Sequence, residues 1–176
     1  MNKIMYNKGL QVLLIASCLF SNLYAQEKNI VEVLKRFNNN SIPYIYQKDV
    51  QLGDSIVLLD AREFEEYTVS KIPGAVYIGY NEFEIDKLGN LNIPKNKKII
   101  VYCSLGVRSE RIGYKIKRAG YSNVYNLWGG IFEWINEGKV VVDNNNRATG
   151  KIHAYSKKWG KYLKRGSKVY TNNDAE

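Results

Sequence analysis

The chain has 176 residues, of which 45% are hydrophobic and 24% are charged, a composition typical of globular proteins. This length suits one compact domain with an appendage. Two cysteines and one histidine exclude a disulfide-stapled scaffold and a histidine-cluster metal site, and 14 glycines with three prolines exclude collagen-like sequences. The net charge of +9 is typical of proteins with polyanionic partners, so its distribution along the chain matters.

Residues 1–25 have the pattern of a secretory signal. Two lysines precede an apolar run over 10–20, and the small residue Ala25 closes the segment. The run is shorter than the roughly 20 apolar residues that span a bilayer. We therefore predict cleavage after Ala25 and a periplasmic or secreted mature protein without a transmembrane segment. The stretch Ile-Ala-Ser-Cys that ends at Cys18 resembles a lipobox, so a lipoprotein anchored at Cys18 is the alternative.

Removal of this signal would change both the cysteine count and the charge. Cys103 would be the only cysteine left, so no internal disulfide could form. The net charge would fall to +7, of which +6 lies in residues 147–176 and +1 in residues 26–146. The basic character therefore belongs to a tail, and an exported chain of this kind is not expected to bind nucleic acid.

Strand and helix patterns alternate along the middle of the chain. The spacing of apolar residues predicts a short amphipathic helix over 27–38, within an N-terminal segment of 26–42. The predicted strands cover 44–46, 56–60, 75–78, 99–102 and 124–126. The predicted helices cover 63–68, 80–87, 109–119 and 130–136. This alternation over 43–141 predicts an α/β domain with a mostly parallel five-stranded sheet and helices on both faces.

Residues 142–176 are predicted to form a basic C-terminal extension. The asparagine-rich stretch 143–146 suggests a linker. Apolar residues at helical spacing predict an amphipathic helix over 152–165, with lysines largely on its other faces. This helix either docks on the domain with a solvated basic side or, over 152–168, offers a surface to an anionic lipid, glycan or acidic protein.

The segment 103–109, Cys-Ser-Leu-Gly-Val-Arg-Ser, carries the pattern of a reactive site. It follows a buried strand and opens a helix, so its backbone N–H groups can form an anion-binding nest. Gly106 permits a positive φ, and Ser109 is a candidate N-cap. The amides, the helix dipole and Arg108 should all favour the thiolate of Cys103, without a histidine base. A lone cysteine after a strand is more often a small buried apolar residue. Only the glycine, the arginine and the strand–loop–helix context favour the functional interpretation.

Four segments, in order, resemble the rhodanese (thiosulfate sulfurtransferase) homology domain in its single-domain form, over about 43–141. They are Asp-Ala-Arg-Glu-Phe-Glu-Glu-Tyr at 60–67, Lys-Ile-Pro-Gly-Ala at 71–75, Tyr-Cys-Ser-Leu-Gly-Val-Arg-Ser at 102–109 and Leu-Trp-Gly-Gly at 127–130. Lys71 stands where that family has histidine, and we expect it to pack at the turn.

The resemblance implies that Cys103 takes a sulfane sulfur and holds it as a persulfide, with no metal or other cofactor. Arg108 would bind the anionic donor. The backbone amides that would cradle the sulfur belong to Ser104, Leu105, Gly106, Val107 and Arg108. Six residues from Cys103 to Arg108 match the sulfurtransferases, whereas the related phosphatases and arsenate reductases have seven.

Other candidate residues have a structural and a functional interpretation. Asp60 and Arg62 are expected to brace neighbouring loops as a buried pair, with an active-site acid as the alternative. Trp128 either walls the pocket or packs in the core. His153 is far from Cys103 in the sequence, so a protease-like Cys/His pair has no support.

The leading hypothesis is a sulfurtransferase that moves a sulfane sulfur from thiosulfate, or a similar small sulfur-containing anion, to cyanide or a cellular thiol. The alternative is a non-enzymatic module of the same fold that carries a persulfide or binds an anion or a partner. Phosphatase-like or arsenate-reductase chemistry is a third hypothesis, disfavoured by the short loop and the missing second cysteine.

Overall fold

The structure is a computed structural model, and it describes residues 30–171. The predicted signal segment, with its candidate cleavage and lipidation sites at Ala25 and Cys18, lies outside the described residues. Residues 30–37 are helical (α1), within the helix predicted over 27–38. Among residues 30–171, no helix has the length and apolar character needed to cross a membrane.

A five-stranded sheet organises the compact unit that begins at Phe37. Its strands are β1 (Tyr44–Ile45), β2 (Ile56–Asp60), β3 (Val76–Tyr77), β4 (Lys98–Tyr102) and β5 (Val124–Leu127). Their order is β1-β5-β4-β2-β3, and every neighbouring pair is parallel. The predicted parallel sheet is confirmed. Two continuous apolar runs in the sequence, at 56–59 and 99–102, form the long neighbours β2 and β4, where Leu59 and Val101 are fully buried in the core.

Four helices follow the strands of this sheet. They are α2 (Phe64–Val69), α3 (Asp86–Asn90), α4 (Val107–Arg118) and α5 (Gly130–Asn136), and a short 3₁₀ helix covers Gln47–Asp49. The helix predicted over 130–136 has the predicted bounds. The helix predicted over 80–87 is mostly wrong, because residues 80–85 form turns that bury Phe83 and α3, which buries Leu88, starts only at Asp86. Residues five positions apart point about 140° apart on a helix, so a helix continued back through Phe83 could not bury both side chains on one face.

The C-terminal extension does not form the predicted helix over 152–165. Strands β6 (Val141–Val142) and β7 (Ala148–Thr149) make a hairpin, and β8 (Lys151–His153) pairs in parallel with β9 (Ser167–Val169). Only α6 (Lys157–Gly160) is helical between them. Pairing of β8 with β9 holds the start of the segment extended, and Tyr155 adopts a left-handed φ of 65°, which ends any continuous helix there.

The asparagine-rich stretch 143–146 is also not a linker. It is the turn of the β6–β7 hairpin, in which Asp143 Oδ1 accepts hydrogen bonds from the backbone N–H groups of Asn145 and Arg147. The eight basic residues of 147–168 are all exposed. A solvated basic surface fits this exposure, and an anionic partner for it stays a prediction.

Candidate active site

The cysteine loop begins where the central strand β4 ends. Cys103 follows Tyr102 directly and is 2% exposed, and the helix α4 starts four residues later. The cap residue of α4 is Gly106, with φ 107°, so the prediction of Ser109 as the N-cap is wrong. Ser109 instead lies in the first turn, where its hydroxyl donates to Asn126 Oδ1 at 2.7 Å and lies 3.5 Å from the Cys103 sulfur.

The first turn of helix α5 fixes the shape of the cysteine loop. The backbone N–H groups of Ile131 and Phe132 donate to the carbonyl oxygens of Cys103 and Ser104, at 2.9 and 3.2 Å. Gly130 makes this approach possible, because a Cβ at that position would overlap the Cys103 carbonyl and lie 2.7 Å from the Ser104 oxygen. Gly130, the last residue of the segment Leu-Trp-Gly-Gly, thus permits the backbone contacts that position the loop.

Polar side chains also hold the turn at Gly106. The Nδ2 groups of Asn38 and Asn126 donate to the Gly106 carbonyl at 2.9 and 2.8 Å. The Gly106 N–H donates to the Cys103 Sγ at 3.1 Å. The peptide groups on both sides of Gly106 are therefore held, and one of them points its hydrogen at the sulfur. Neither asparagine was among the residues predicted for the site.

The sulfur is favoured as a thiolate. Burial raises the pKa of the Cys103 thiol, but the charge of Arg108, together with hydrogen bonds from Ser109 and Gly106, outweighs burial and lowers the pKa below its ordinary value. This is the direction that the loop sequence predicts. It makes the nucleophilic thiolate of Cys103 available at a lower pH than in an ordinary thiol, without a general base.

Arg108 does not stand free as an anion-binding cation. Its Nη1 and Nη2 donate to the two carboxylate oxygens of Glu66 at 2.6 and 2.8 Å, and Nη2 also donates to Ser104 Oγ at 2.9 Å. Burial raises the pKa of Glu66, but the charge of Arg108 prevails and lowers that pKa to about 2. Glu66, from α2, was not predicted as a site residue. A signal was present, since a partly buried arginine requires a counter-ion.

The Cys103 sulfur lies at a pocket of about 200 Å³. The loop contributes Ser104, Leu105, Val107 and Arg108 to its lining. The opposite side is aromatic and consists of Phe37, Tyr155 and Trp159, none of which was predicted for the site. Tyr155 lies over the Arg108 guanidinium, with 4.7 Å between its ring centroid and the guanidinium carbon.

Trp128, the tryptophan considered as a wall of the pocket, lies elsewhere. Trp128 is buried and packs on Tyr46, with ring centroids 5.7 Å apart, and it does not line the pocket. His153 accepts a hydrogen bond from the Tyr155 N–H at its Nδ1, at 3.2 Å. Lys71 packs at its turn as predicted: its Nζ donates to the Asp143 carbonyl at 3.2 Å.

Asp60 and Arg62 form the predicted buried pair. Both are fully buried, and Arg62 Nη2 donates to Asp60 Oδ2 at 2.6 Å and to the Ser70 carbonyl at 2.7 Å. The Tyr102 hydroxyl also donates to Asp60 Oδ2 at 2.6 Å. The pair thus ties the end of β2 to the residue that precedes Cys103 and to the loop after α2. The structure brings Cys103, Ser104, Leu105, Val107 and Arg108 together at the pocket, and it keeps the Asp60–Arg62 pair as a separate brace.

The fold and site together define a class: a parallel α/β domain with a cysteine-containing loop beyond the carboxyl end of its central strand. The family follows from the sequence match. The description of that family is "Rhodanese-like domain", and its model matches residues 43–137. The chain therefore belongs to the rhodanese-like domain family.

Several characterised and solved proteins are similar to this chain. YrkF of Bacillus subtilis, provisionally named a sulfur carrier protein, is 36% identical over 101 residues, which cover 55% of this chain and 53% of YrkF. The tRNA uridine(34) hydroxylase of Bdellovibrio bacteriovorus is 30% identical, over 65% of this chain and 37% of that protein. The crystal structure of a thiosulfate sulfurtransferase from Pseudomonas aeruginosa superposes with a TM-score of 0.52 and 28% identity, over 69% of this chain and 23% of that one. The chain spans about half the length of YrkF and less of the other two.

Proposed function

We propose that this protein is a sulfurtransferase that carries a sulfane sulfur on Cys103. The observation that carries the proposal is the geometry of the sulfur itself. It lies at the start of a six-residue loop, accepts a hydrogen bond from the Gly106 N–H at 3.1 Å and has a lowered pKa. The names of relatives, a sulfur carrier and a thiosulfate sulfurtransferase, support this chemistry.

The reaction balances without a cofactor. In the first half, the Cys103 thiolate attacks the outer sulfur of thiosulfate or a similar donor, the S–S bond breaks, and sulfite or its equivalent leaves with the electron pair. Cys103 then holds a persulfide. In the second half, cyanide or a thiolate attacks the outer sulfur, and the Cys103 thiolate leaves. Both half-reactions move one neutral sulfur atom, so no external oxidant or reductant is needed.

Thiocyanate formation from thiosulfate and cyanide tests the proposal directly. We expect turnover by the wild-type protein and none by Cys103→Ser, which preserves the size of the side chain but lacks the sulfur nucleophile. Ser167→Ala, an exposed change in β9, serves as the matched control and should keep wild-type turnover. Equal rates for the wild type and Cys103→Ser, with several donors, would contradict the proposal.

A carrier without appreciable turnover is the second candidate. Its support is the 2% exposure of Cys103, which limits access by free acceptors, and the name of the relative YrkF. Intact-mass measurement separates the two candidates. An adduct of about 32 Da on Cys103 after donor treatment, with negligible thiocyanate formation, indicates a carrier. An adduct with turnover indicates the enzyme, and neither adduct nor turnover indicates a binding module.

We also propose that the chain is exported to the periplasm or secreted, with cleavage after Ala25 and with lipidation at Cys18 as the alternative. The support is the sequence pattern of residues 1–25 alone. The intact mass of protein purified from its native host distinguishes a chain that begins at Gln26 from a lipidated one that begins at Cys18. A chain that retains Met1 would contradict both forms.

A further inference from the structure

The pocket beside the sulfur is apolar on the side opposite the cysteine loop. Phe37, Tyr155 and Trp159 line that side, and Phe37 meets Trp159 edge-on, with ring centroids 5.9 Å apart. The loop itself adds the aliphatic side chains of Leu105 and Val107. A molecule that reaches the sulfur therefore contacts mainly aromatic and aliphatic carbon.

The charge in this pocket is largely compensated. Among the described residues that line it, Arg108 alone has a permanent positive charge, and both of its Nη atoms hold the Glu66 carboxylate. The Tyr155 ring lies over the same guanidinium. Besides the loop N–H groups, a divalent anion would meet here only a cation already paired with Glu66, and it would lose more hydration than a monoanion, so its transfer into the pocket is less favourable than that of a monoanion. A donor with one negative charge, or with none, loses less hydration free energy when it enters the pocket.

The aromatic side is held in place before any substrate arrives. Tyr155 has a φ of 65°, a left-handed conformation that residues other than glycine rarely adopt, and its N–H donates to His153 Nδ1. The preceding residue, Ala154, donates its N–H to the Val169 carbonyl at 2.9 Å. Strained backbone of this kind persists where surrounding contacts enforce it, and it clusters at ligand sites. The fold thus holds a ring against Arg108 at the expense of local strain.

The size of the pocket limits what can bind. Its volume of about 200 Å³ exceeds the roughly 150 Å³ of an engineered apolar cavity in another protein that binds benzene. One six-membered ring with its attached sulfur group therefore fits beside the loop.

We propose that the sulfane-sulfur donor of this site carries a ring-sized apolar group and at most one negative charge. The inference rests on the proposed function and names the substrate class for it. Phe37, Tyr155 and Trp159 contact the apolar group, and the loop presents Cys103 to the outer sulfur. With an arenethiosulfonate, the Cys103 thiolate attacks the outer sulfur, the S–S bond breaks and the arenesulfinate leaves with the electron pair. The sum of charges is the same on both sides.

Two thiosulfonates test the proposal because they differ only in the apolar group. Benzenethiosulfonate and methanethiosulfonate are both monoanions, and each releases a sulfinate that carries its own apolar group. The rate of sulfur loading on Cys103 is measured for each by intact mass, and the same pair is reacted with 2-mercaptoethanol to obtain their ratio without a protein. We expect the wild-type ratio to exceed the solution ratio by about tenfold or more, the effect of one good aromatic contact.

Variants of the aromatic side should abolish the preference. Trp159→Ala and Tyr155→Gly are expected to bring the ratio close to the solution value, and glycine suits the left-handed backbone at 155. Tyr114→Ala removes an exposed ring from α4 and should leave the ratio unchanged. If Trp159→Ala fails to fold by circular dichroism, Trp159→Leu keeps a larger apolar side chain than alanine while removing the ring.

The outcomes separate this inference from the function on which it rests. Loading by both donors at the solution ratio, or a preference that survives both substitutions, overturns the inference alone. Loading by thiosulfate as fast as by benzenethiosulfonate overturns it as well. Failure of every donor to load Cys103 overturns the proposed function and, with it, the inference.

Discussion

The cysteine loop and the C-terminal extension meet at one pocket but are built in different ways. The loop 103–106 is shaped by backbone contacts: Gly106 N–H reaches the sulfur, and Ile131 and Phe132 donate to loop carbonyls. The extension presents single side chains, Tyr155 and Trp159, from a segment held by the pairing of β8 with β9.

The two regions therefore contribute different properties to the site. The loop and its ion pair set the electrostatics of the sulfur, because every group that lowers the Cys103 pKa lies in residues 106–109. The extension supplies contact area, because its pocket residues are rings. Changes in the loop should therefore alter reactivity with all donors, whereas changes in the extension should alter the choice among donors.

The largest effect is expected at Gly130, where the backbone at the start of α5 closely approaches the backbone of the cysteine loop. Gly130→Ala should destabilise the protein by roughly 4 kcal/mol or more and reduce sulfur loading at least 100-fold, because the new Cβ would overlap the Cys103 carbonyl oxygen. Denaturant unfolding and the loading rate measure both effects. Gly120→Ala is the matched control: Gly120 also has a positive φ but no atom within 4 Å of the added Cβ, so the variant should lose only about 1 kcal/mol. Equal losses in the two variants would contradict the role of close approach.

The next effect concerns the buried ion pair. Glu66→Gln should lower the free energy of unfolding by roughly 3 kcal/mol at neutral pH, because Arg108 loses its buried partner. The Glu66 pKa is about 2 in the folded protein against an ordinary 4.5, so its stabilisation is complete above pH 4.5 and is lost as pH falls toward 2.

The difference in stability between the wild type and Glu66→Gln should therefore shrink as the pH is lowered through that window. Unfolding curves at pH 7, 4 and 3 provide the measurement. Glu65→Gln, on the exposed neighbour in α2, should follow the wild type at every pH. A difference that stays constant with pH would show that Glu66 is not held ionised.

A smaller change is expected from a hydroxyl near the sulfur. Ser109→Ala removes a group that lowers the Cys103 pKa, and this pKa should therefore rise. At pH values below the pKa, alkylation by neutral iodoacetamide should slow about threefold. In the wild type the alkylation rate should increase with pH through the lowered pKa and then level off. Ser167→Ala, in β9 of the extension, should leave this profile unchanged. A wild-type profile centred at or above the ordinary thiol value would contradict a loop-stabilised thiolate.

The smallest effect tests the strain in the extension. Tyr155→Gly and Tyr155→Ala both remove the ring, but only glycine accepts a φ of 65° without strain. Tyr155→Gly should therefore be more stable than Tyr155→Ala by about 1 kcal/mol in chemical unfolding. The two variants should share one pH profile for Cys103 alkylation. Equal stabilities would mean that the left-handed conformation is not enforced.

Local patterns predicted the sheet well and the extension badly. The continuous apolar runs at 56–59 and 99–102 correctly predicted β2 and β4. A parallel strand that is buried on both faces is apolar at nearly every position, so hydrophobicity alone identifies it. The predicted helix over 152–165 failed because its apolar spacing also fits a loop that buries Ile152, Tyr162 and Leu163. Periodicity reports which side chains are buried, and it does not report whether the backbone between them is helical.

The sequence by itself determined the cysteine loop. Its residues are contiguous, so the glycine, the arginine and the six-residue spacing could be recognised together before any fold was known. Only the tertiary structure decided what faces the loop. Glu66 neutralises Arg108 from 42 positions away, and Tyr155 and Trp159 line the pocket from a segment that local patterns assigned to a helix. Contacts between residues so distant in the chain depend on how strands pair and helices pack, and no local pattern encodes them. The basic charge of the tail is visible in the sequence, but the aromatic rings beside it became part of the site only through folding.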